Sequence, residues 1–296
     1  MNKLTQYKRT AALNIAFAAL FSAFGLGATG CHKKDASPAL PTALFDSTPL
    51  AKPVTPLIRE GSGIAESKAN AGYVWVEEDS GNPTQIYLVS HDGTVLKKIF
   101  IKGAVNRDWE DMALSGNDLY LGDIGDNNLN HPDYTFYKFP EPLSSVDTVK
   151  SFETIKFKYE DGAHDAEAFL VDPDTKDIYI ITKRDNPSLI YKLSSPFSSL
   201  STAIKVGALT YSGVTSAAIS ADGKEILVKT YTNVFYYPLS KDQSIVQALQ
   251  GKAVQLPYEI EPQGEAITFS LDHSGYYTLS EIGFVNYVNL NFYKRK

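Results

Sequence analysis

Three glutamates occupy the same place in three similar segments of this chain. Glu110 lies in WEDMALS, Glu167 in AEAFLVD and Glu265 in GEAITFS. Asp108 and Asp165 stand two residues before the first two of them. If the fold brings these segments together, the carboxylates cannot all stay ionised unless a cation or cationic side chains compensate. The set therefore predicts a cation site, and Ca²⁺, which takes about six to eight oxygen ligands, is the cation that we expect.

The same carboxylates also suit a purely structural role. Buried polar side chains usually find hydrogen-bond partners, and here backbone amides of the neighbouring repeat could provide them. The carboxylates would then only lock one repeat to the next. Both interpretations stay open on the sequence.

A second group of oxygen-bearing side chains follows in one short stretch. Its members are Asp123, Asp126, Asn127, Asn128, Asn130 and Asp133. Gly125 gives this stretch the freedom to turn. The group suits a hard cation, with Asp123 and Asp126 as the expected ligands. Asx-rich stretches also form good turns without any ion, and that is the alternative.

Cationic side chains occupy the corresponding stretches further along the chain. Lys183 and Arg184 follow one strand-like run, and Lys229 follows the next. Acids from some repeats and bases from others would hold a phosphate group through metal and cations together. Glu167 and the metal would then activate water, while the three cations bind the substrate. The alternative is a ring of salt bridges between neighbouring repeats.

A repeated element must position these residues, because the chain from Leu57 onward falls into five similar copies. One apolar residue marks the same place in each copy: Ile64, Met112, Phe169, Ala218 and Ile267. The markers are spaced by 48, 57, 49 and 49 residues. Each copy holds three strand-like runs, separated by turn residues such as Asp92-Gly93 and Asp222-Gly223.

Self-similarity at this period, with about four strands in each unit, is typical of an all-β propeller. Sheets packed radially bury one another, whereas one four-stranded sheet alone cannot bury both faces. Fourth strands would come from the connecting segments Thr148–Tyr159, Thr202–Tyr211 and Lys252–Tyr258. Residues near Pro53–Ile58 would complete the last sheet.

Five copies favour five blades. Six blades are the alternative if the 57-residue spacing hides a degenerate one, and a sandwich or two stacked barrels is another. In a propeller, the first strand of each copy lines the central channel, and the loop after the second strand forms one mouth. Alignment of the first strands places Ser62, Glu110, Glu167, Ala217 and Glu265 at one equivalent position. The acids from Glu77 to Asp79 leave the second strand of the first copy toward the same mouth.

The N-terminal residues 1–30 have the layout of a secretory signal peptide. A basic start with Lys3, Lys8 and Arg9 precedes an apolar run, and small residues then lead to Cys31. The ATGC ending resembles a bacterial lipobox, so Cys31 is the expected lipidation site, with palmitate among its acyl chains. An uncleaved membrane anchor is the alternative. Residues 31–53 are expected to form a flexible tether, and residues 54–296 the propeller domain.

Composition excludes several classes of function. The formal net charge of −6 argues against nucleic acid as the main partner. A single cysteine excludes an internal disulfide, an Fe–S cluster and a cysteine-rich zinc site. The sequence also lacks a G-x-S-x-G elbow, a P-loop, a Rossmann glycine pattern and an H-E-x-x-H motif.

Short motifs carry a resemblance to a known family. The segments are SGIAES, DWEDMA, LYLGDIGDN, DAEAF, TKRDN and EPQGEAI. Together they resemble bacterial secreted propellers of the phytase-like or esterase-like kind, and they are similar to the SdiA-regulated propeller lipoproteins. This resemblance implies calcium in or near the channel, with Glu110, Glu167 and Glu265 on the metal side. It also implies that Lys183, Arg184 and Lys229 face a phosphate, although the chain is shorter than true phytases and lacks their run of lysines.

Two functions follow as expectations. The first is a lipid-anchored propeller of the bacterial cell envelope, on the outer membrane, that binds an unknown ligand or envelope protein at its channel mouth, with calcium as a structural ion. The second is a calcium-dependent phosphoesterase.

Overall fold

The computed structural model describes residues 44–296, which form twenty-one β-strands and one short helix. Within that range, no helix is both long enough and apolar enough to span a membrane. The predicted signal peptide (residues 1–30), Cys31 and the first part of the predicted tether lie outside the described residues.

The first two groups of strands occupy residues 50–159. The first group comprises β1 (Leu50–Pro53), β2 (Gly61–Glu66), β3 (Tyr73–Glu78), β4 (Gln85–Ser90) and β5 (Val95–Ile101). The second comprises β6 (Trp109–Ser115), β7 (Asp118–Asp123), β8 (Tyr134–Pro140), β9 (Thr148–Val149) and β10 (Glu153–Tyr159). Strand β2 is buried along its whole length, whereas burial alternates along β10. The alternation of β10 is typical of a strand with one face in water.

Three further groups complete the described chain. The third comprises β11 (Ala166–Val171), β12 (Ile178–Thr182), β13 (Leu189–Leu193) and β14 (Ser201–Ala208). The fourth comprises β15 (Val214–Ile219), β16 (Glu225–Thr230), β17 (Val234–Pro238), the helix α1 (Ile245–Leu249) and β18 (Val254–Leu256). The fifth comprises β19 (Gly264–Phe269), β20 (Gly275–Ser280) and β21 (Asn289–Lys294).

The strands form five four-stranded antiparallel sheets, each built from consecutive strands of one group, except that the second sheet passes over β9 and the last takes β1 as its outer strand. The orders are β2-β3-β4-β5, β6-β7-β8-β10, β11-β12-β13-β14, β15-β16-β17-β18 and β19-β20-β21-β1. Strand β9 adds to the outer edge of the first sheet in parallel with β5. A second parallel pairing, between β10 and β14, joins the outer edges of the second and third sheets.

The five sheets pack face to face around a common axis. Their first strands contact one another in the cyclic order β2, β6, β11, β15, β19 and back to β2. Five buried apolar clusters fill the spaces between successive sheets. In one of them Phe136 packs edge to face on Phe169, with the ring centroids 4.8 Å apart. Because radial packing buries the faces of every sheet, the chain is an all-β protein of propeller type.

The N-terminal strand closes the ring of sheets. Strand β1 pairs antiparallel with β21 and so becomes the outer strand of the last sheet. Phe45 pairs with Arg295 beyond the end of β1. The Phe45 side chain is fully buried, and its ring centroid lies 4.9 Å from that of Tyr276.

This closure corrects the predicted domain boundary. Residues 44–53 belong to the folded unit, whereas the prediction assigned residues 31–53 to a tether and began the domain at residue 54. The closing strand is Leu50–Pro53 and not Pro53–Ile58. Its four residues are all exposed, which explains why their composition resembles that of a linker.

Candidate functional site

Each first strand carries a β-bulge at the same position near its start. The bulged residues are Ser62, Glu110, Glu167, Thr215 and Glu265. A bulge inserts one unpaired residue into a strand and re-aims its side chain. The three glutamates predicted to be equivalent therefore do occupy equivalent positions. In the fourth sheet the equivalent residue is Thr215, two residues before the predicted Ala217.

The residue that follows each second strand lies at the same end of the sheets. These residues are Asp79, Ile124, Lys183, Tyr231 and Glu281. Asp79 and Glu281 add carboxylates to those of the bulges, and Lys183 adds a cation. We call Asp79, Asp108, Glu110, Glu167 and Glu265 together the acidic mouth.

Three carboxylates of the acidic mouth converge most closely. One oxygen each of Asp79, Asp108 and Glu110 lies within 4.8 Å of the other two. Asp108 and Glu110 are buried, and Asp79 is half-buried. The α-carbon of Gly125 packs so tightly against the carboxylates of Asp108 and Glu110 that a β-carbon there would collide with both.

The other two glutamates are linked by a lysine and a tyrosine. Lys183 forms an ion pair with Glu167 and donates a hydrogen bond of 2.8 Å to the hydroxyl of Tyr231. The Tyr231 hydroxyl in turn donates to Glu265 Oε1 at 2.8 Å. Lys183 therefore links two buried carboxylates, one directly and one through Tyr231, and the charge of Lys229 also acts on Glu265.

Two oxygens of the acidic mouth have no hydrogen-bond partner within the described residues. They are Glu167 Oε2 and Glu265 Oε2. Each of these two residues is only 4% exposed. Leaving a buried acceptor unpaired costs about 1–3 kcal/mol, and more for a charged group. The described residues therefore leave two buried carboxylate oxygens of the acidic mouth without a donor.

Burial and mutual repulsion shift the titration of these acids. Burial, together with the charge of Glu167, raises the pKa of Glu110 well above its usual value. Burial also raises the pKa of Glu167 and of Glu265, although Lys183 opposes both shifts. Burial and the charge of Asp79 raise the pKa of Asp108 to about 6. Such shifts arise where carboxylates lack compensating charge, and a bound cation would reverse them.

Each of the three predicted phosphate-binding cations is engaged by groups of the protein. Arg184 binds Asp165 through Nε at 2.6 Å and also contacts Asn127, so it lies beside the acidic mouth. Lys229 lies inside β16, where it is fully buried and donates to the carbonyl oxygens of Gly264 and Thr230. Lys229 stands two residues before Tyr231, the position equivalent to Lys183, so it lies within β16 and not in the loop after it, although its charge still acts on Glu265.

Asp123 and Asp126 accept hydrogen bonds from nearby backbone amides. Asp123 Oδ1 accepts hydrogen bonds from the amides of Arg107 and Asp108, at 3.1 and 2.8 Å. The carboxylate of Asp126 accepts from the amides of Asn130 and His131 and from the Tyr134 hydroxyl, at 2.8–3.0 Å. Neither residue belongs to the group formed by Asp79, Asp108 and Glu110, so the turn interpretation describes their contacts better than the metal interpretation.

The channel is closed below the acidic mouth. Asp111 of β6 reaches across the axis to β15, where its Oδ2 accepts from Ser216 Oγ at 3.1 Å and from the Ala217 amide at 3.3 Å. Ser216 Oγ also accepts from the amide of Ile267 in β19, at 3.2 Å. Because β6 and β15 belong to non-adjacent sheets, this network separates the two ends of the axis.

Sequence reasoning did not select two residues of the site. Asp79 was visible only as one of several acids that leave β3, and its partners Asp108 and Glu110 lie on another sheet. Tyr231 carries no motif, and its role appears only from its contacts with Lys183 and Glu265. Their positions in the sequence could have identified them, because both residues directly follow the second strand of a copy.

Comparisons with known proteins leave the family open. No family model matches the chain, and no curated protein matches it. Hydrazine synthase from Kuenenia stuttgartiensis is similar with a TM-score of 0.42 and 11% identity, covering 78% of this chain and 71% of that chain. A nidogen/laminin complex is similar with a TM-score of 0.46 and 12% identity, covering 75% of this chain and 72% of that chain. At TM-scores below 0.5 neither likeness carries an argument, so the propeller assignment stands on the sheet topology and the core.

Proposed function

We propose that this chain is a five-bladed propeller that binds a ligand or protein partner at its acidic mouth, through a Ca²⁺ ion held by Asp79, Asp108 and Glu110. The convergence of these three carboxylates within 4.8 Å is the observation that carries the proposal. The oxygens Glu167 Oε2 and Glu265 Oε2 support it, because the described residues give these buried acceptors no hydrogen-bond donor.

The donor set favours calcium over transition metals. All candidate ligands are carboxylate oxygens, and the group contains neither His nor Cys. Hard cations prefer such ligands, and calcium tolerates the irregular geometry that loops and bulges produce. Three carboxylates do not fill a calcium coordination shell, so the remaining positions stay open to water or to oxygen atoms of the bound partner.

Calcium titration of the purified chain tests the metal site. We expect one calcium equivalent to bind by calorimetry and to raise the melting temperature. Asp79→Asn and Glu110→Gln should each weaken binding at least about tenfold, because each removes the charge of one of the three candidate ligands. Asp242→Asn, an exposed acid in the loop before α1, is the matched control and should bind like the wild type. Equal calcium affinity in all four proteins would contradict the proposal.

We propose binding and not phosphoester hydrolysis as the role of the mouth. The phosphoesterase alternative needs several cations that face one substrate, and Lys229 is buried against Gly264 while Lys183 is occupied by Glu167. We therefore expect no calcium-dependent turnover of a phosphomonoester such as p-nitrophenyl phosphate. Turnover that a chelator removes and that Glu167→Gln abolishes would establish the enzyme instead.

We further propose that acylated Cys31 anchors the chain to the bacterial outer membrane. The support is the order of basic, apolar and small residues before the single cysteine. Incorporation of labelled palmitate should occur in the wild type and be lost in Cys31→Ser. Equal labelling of both proteins would contradict the anchor.

A further inference from the structure

The end of the axis opposite the acidic mouth opens into an apolar funnel. Four residues beyond each bulge, the first strands present Glu66, Leu114, Val171, Ile219 and Phe269. Six residues beyond each bulge, the rim is formed by Lys68, Gly116, Pro173, Ala221 and Leu271. Every sheet thus contributes one residue to each level, so the funnel lies on the axis of the fold.

The funnel has the size and lining of a small-molecule site. Its outer part encloses about 280 Å³, which is close to the lower end of the range of roughly 300–1,000 Å³ that ligand pockets occupy. A narrower part of about 40 Å³ continues inward past Met112, Phe169 and Ile267. Ligand pockets are mostly apolar, with a few polar groups that fix the orientation of the ligand.

Both charged residues of the funnel come from the first sheet. Glu66 lies in the narrow part, where it is 8% exposed and bound to His91 Nε2 at 3.1 Å. Lys68 lies at the rim, and its ammonium donates only to uncharged acceptors, Gly116 O at 3.3 Å and Asn117 Oδ1 at 2.9 Å. Lys68 takes part in no ion pair within residues 44–296, so its positive charge faces the rim without an anionic partner.

We propose that the funnel binds an aliphatic carboxylate, with the hydrocarbon chain on the axis and the carboxylate at Lys68. The apolar lining from four sheets takes the chain, because burial of hydrocarbon is favourable by about 25 cal/mol per Å². Lys68 takes the head group, since its two present acceptors leave one ammonium hydrogen free. Glu66 lies deeper in the funnel, and its carboxylate disfavours an anionic group at the narrow end.

The funnel is independent of the acidic mouth. A hydrogen bond between Asp111 and Ser216 closes the channel between the acidic mouth and the funnel. The funnel therefore does not depend on the proposed calcium site, and the two proposals can fail separately.

Octanoate titration of the full chain tests the proposal. Calorimetry should show one site in the wild type. Lys68→Gln should weaken octanoate binding about tenfold or more, because it removes the charged donor to the carboxylate, while the affinity for uncharged octanol stays unchanged. Ala221→Trp, which places a large side chain in the rim, should abolish binding of both compounds. Lys241→Gln, an exposed lysine outside the funnel, is the matched control and should bind octanoate normally.

The result can overturn the proposal in three ways. Octanoate that does not bind, or that binds equally to Ala221→Trp, would show that the funnel is not the site. Equal weakening by Lys68→Gln and Lys241→Gln would show that Lys68 has no specific role. Asp79→Asn should keep full octanoate affinity, and its calcium response reports separately on the mouth. An unchanged circular dichroism spectrum of each variant establishes that it is folded.

Discussion

Lys229 combines full burial with a charge that the described chain compensates only in part. Its amine donates to two carbonyl oxygens and lies 4.8 Å from the ring centre of Tyr258. Burial lowers the pKa of Lys229 to about 8, although Glu261 and Glu265 oppose the shift. Burial of this amine therefore makes the stability of the fold depend on pH.

We predict that Lys229→Met removes a rise in stability between about pH 8 and pH 10.5. In this window the folded state has released a proton that the unfolded chain still holds, so the unfolded state binds more protons and stability increases with pH. A shift from 10.5 to about 8 corresponds to on the order of 3 kcal/mol. Urea unfolding of both proteins at several pH values measures the difference. Parallel pH curves would show that Lys229 titrates normally.

At the level of single residues, the sequence predicts which residue types recur, and at what spacing, better than it predicts the position of each residue along its strand. Glu110, Glu167 and Glu265 could be aligned because the same residue type recurs before similar apolar runs. Thr215 could not be aligned in this way, because the fourth copy has no glutamate at the bulge to mark the position. Lys229 was misplaced for a related reason: a shift of two residues keeps the same face of a strand but moves the side chain from the mouth into the sheet.

At the level of elements, the loop after β7 supports the proposed metal site. Gly125 approaches the carboxylates of Asp108 and Glu110 from this loop, and Asp126 fixes the loop through its contacts with backbone amides. The amide of Asp126 also donates to Asp165 Oδ1 at 2.8 Å, which ties the loop to the third sheet. Asp123 and Asp126 therefore shape the loop that flanks the site.

We predict that Gly125→Ala impairs calcium binding. The added methyl group would displace the carboxylates of Asp108 and Glu110, so calcium affinity should fall at least about tenfold by calorimetry, with destabilisation of about 1–3 kcal/mol from overpacking. Asn128→Ala changes an exposed residue of the same loop and should leave both quantities within about 0.5 kcal/mol. A Gly125→Ala protein with wild-type calcium affinity would exclude close packing of this loop on the metal.

The connecting segments show how far strands can be predicted. Three of them were expected to supply fourth strands, and β10, β14 and β18 lie within or close to those segments. The parallel pairings of β9 with β5 and of β10 with β14 left no pattern in the sequence, because pairing partners depend on the packing of whole sheets. The long second spacing accommodates β9, which adds to the sheet of the first group.

At the level of the whole molecule, the two ends of the axis differ in chemistry. One end carries the bulged glutamates, and the other carries the apolar funnel, with Asp111 between them. The C-terminal end of β21 lies away from the mouth, because Lys294 pairs with Gly275 at the start of β20. Phe45 pairs with Arg295 just beyond that end, so residue 45 lies at the funnel end. A propeller can keep two such sites apart only while its ring of sheets stays closed.

Closure of the ring depends on residues that resemble a linker in sequence, and Phe45 tests this. Its ring is fully buried, contacts Tyr276 and Tyr236 and lies 4.6 Å from the guanidinium carbon of Arg295. We predict that Phe45→Ala destabilises the fold by about 3–5 kcal/mol, as removal of a buried phenylalanine does. Leu50→Ala is the matched control, because Leu50 is 61% exposed in β1 and its loss should cost less than about 0.5 kcal/mol. Urea unfolding measures both, and equal stability of the two variants would mean that residues before Leu50 do not help to close the ring.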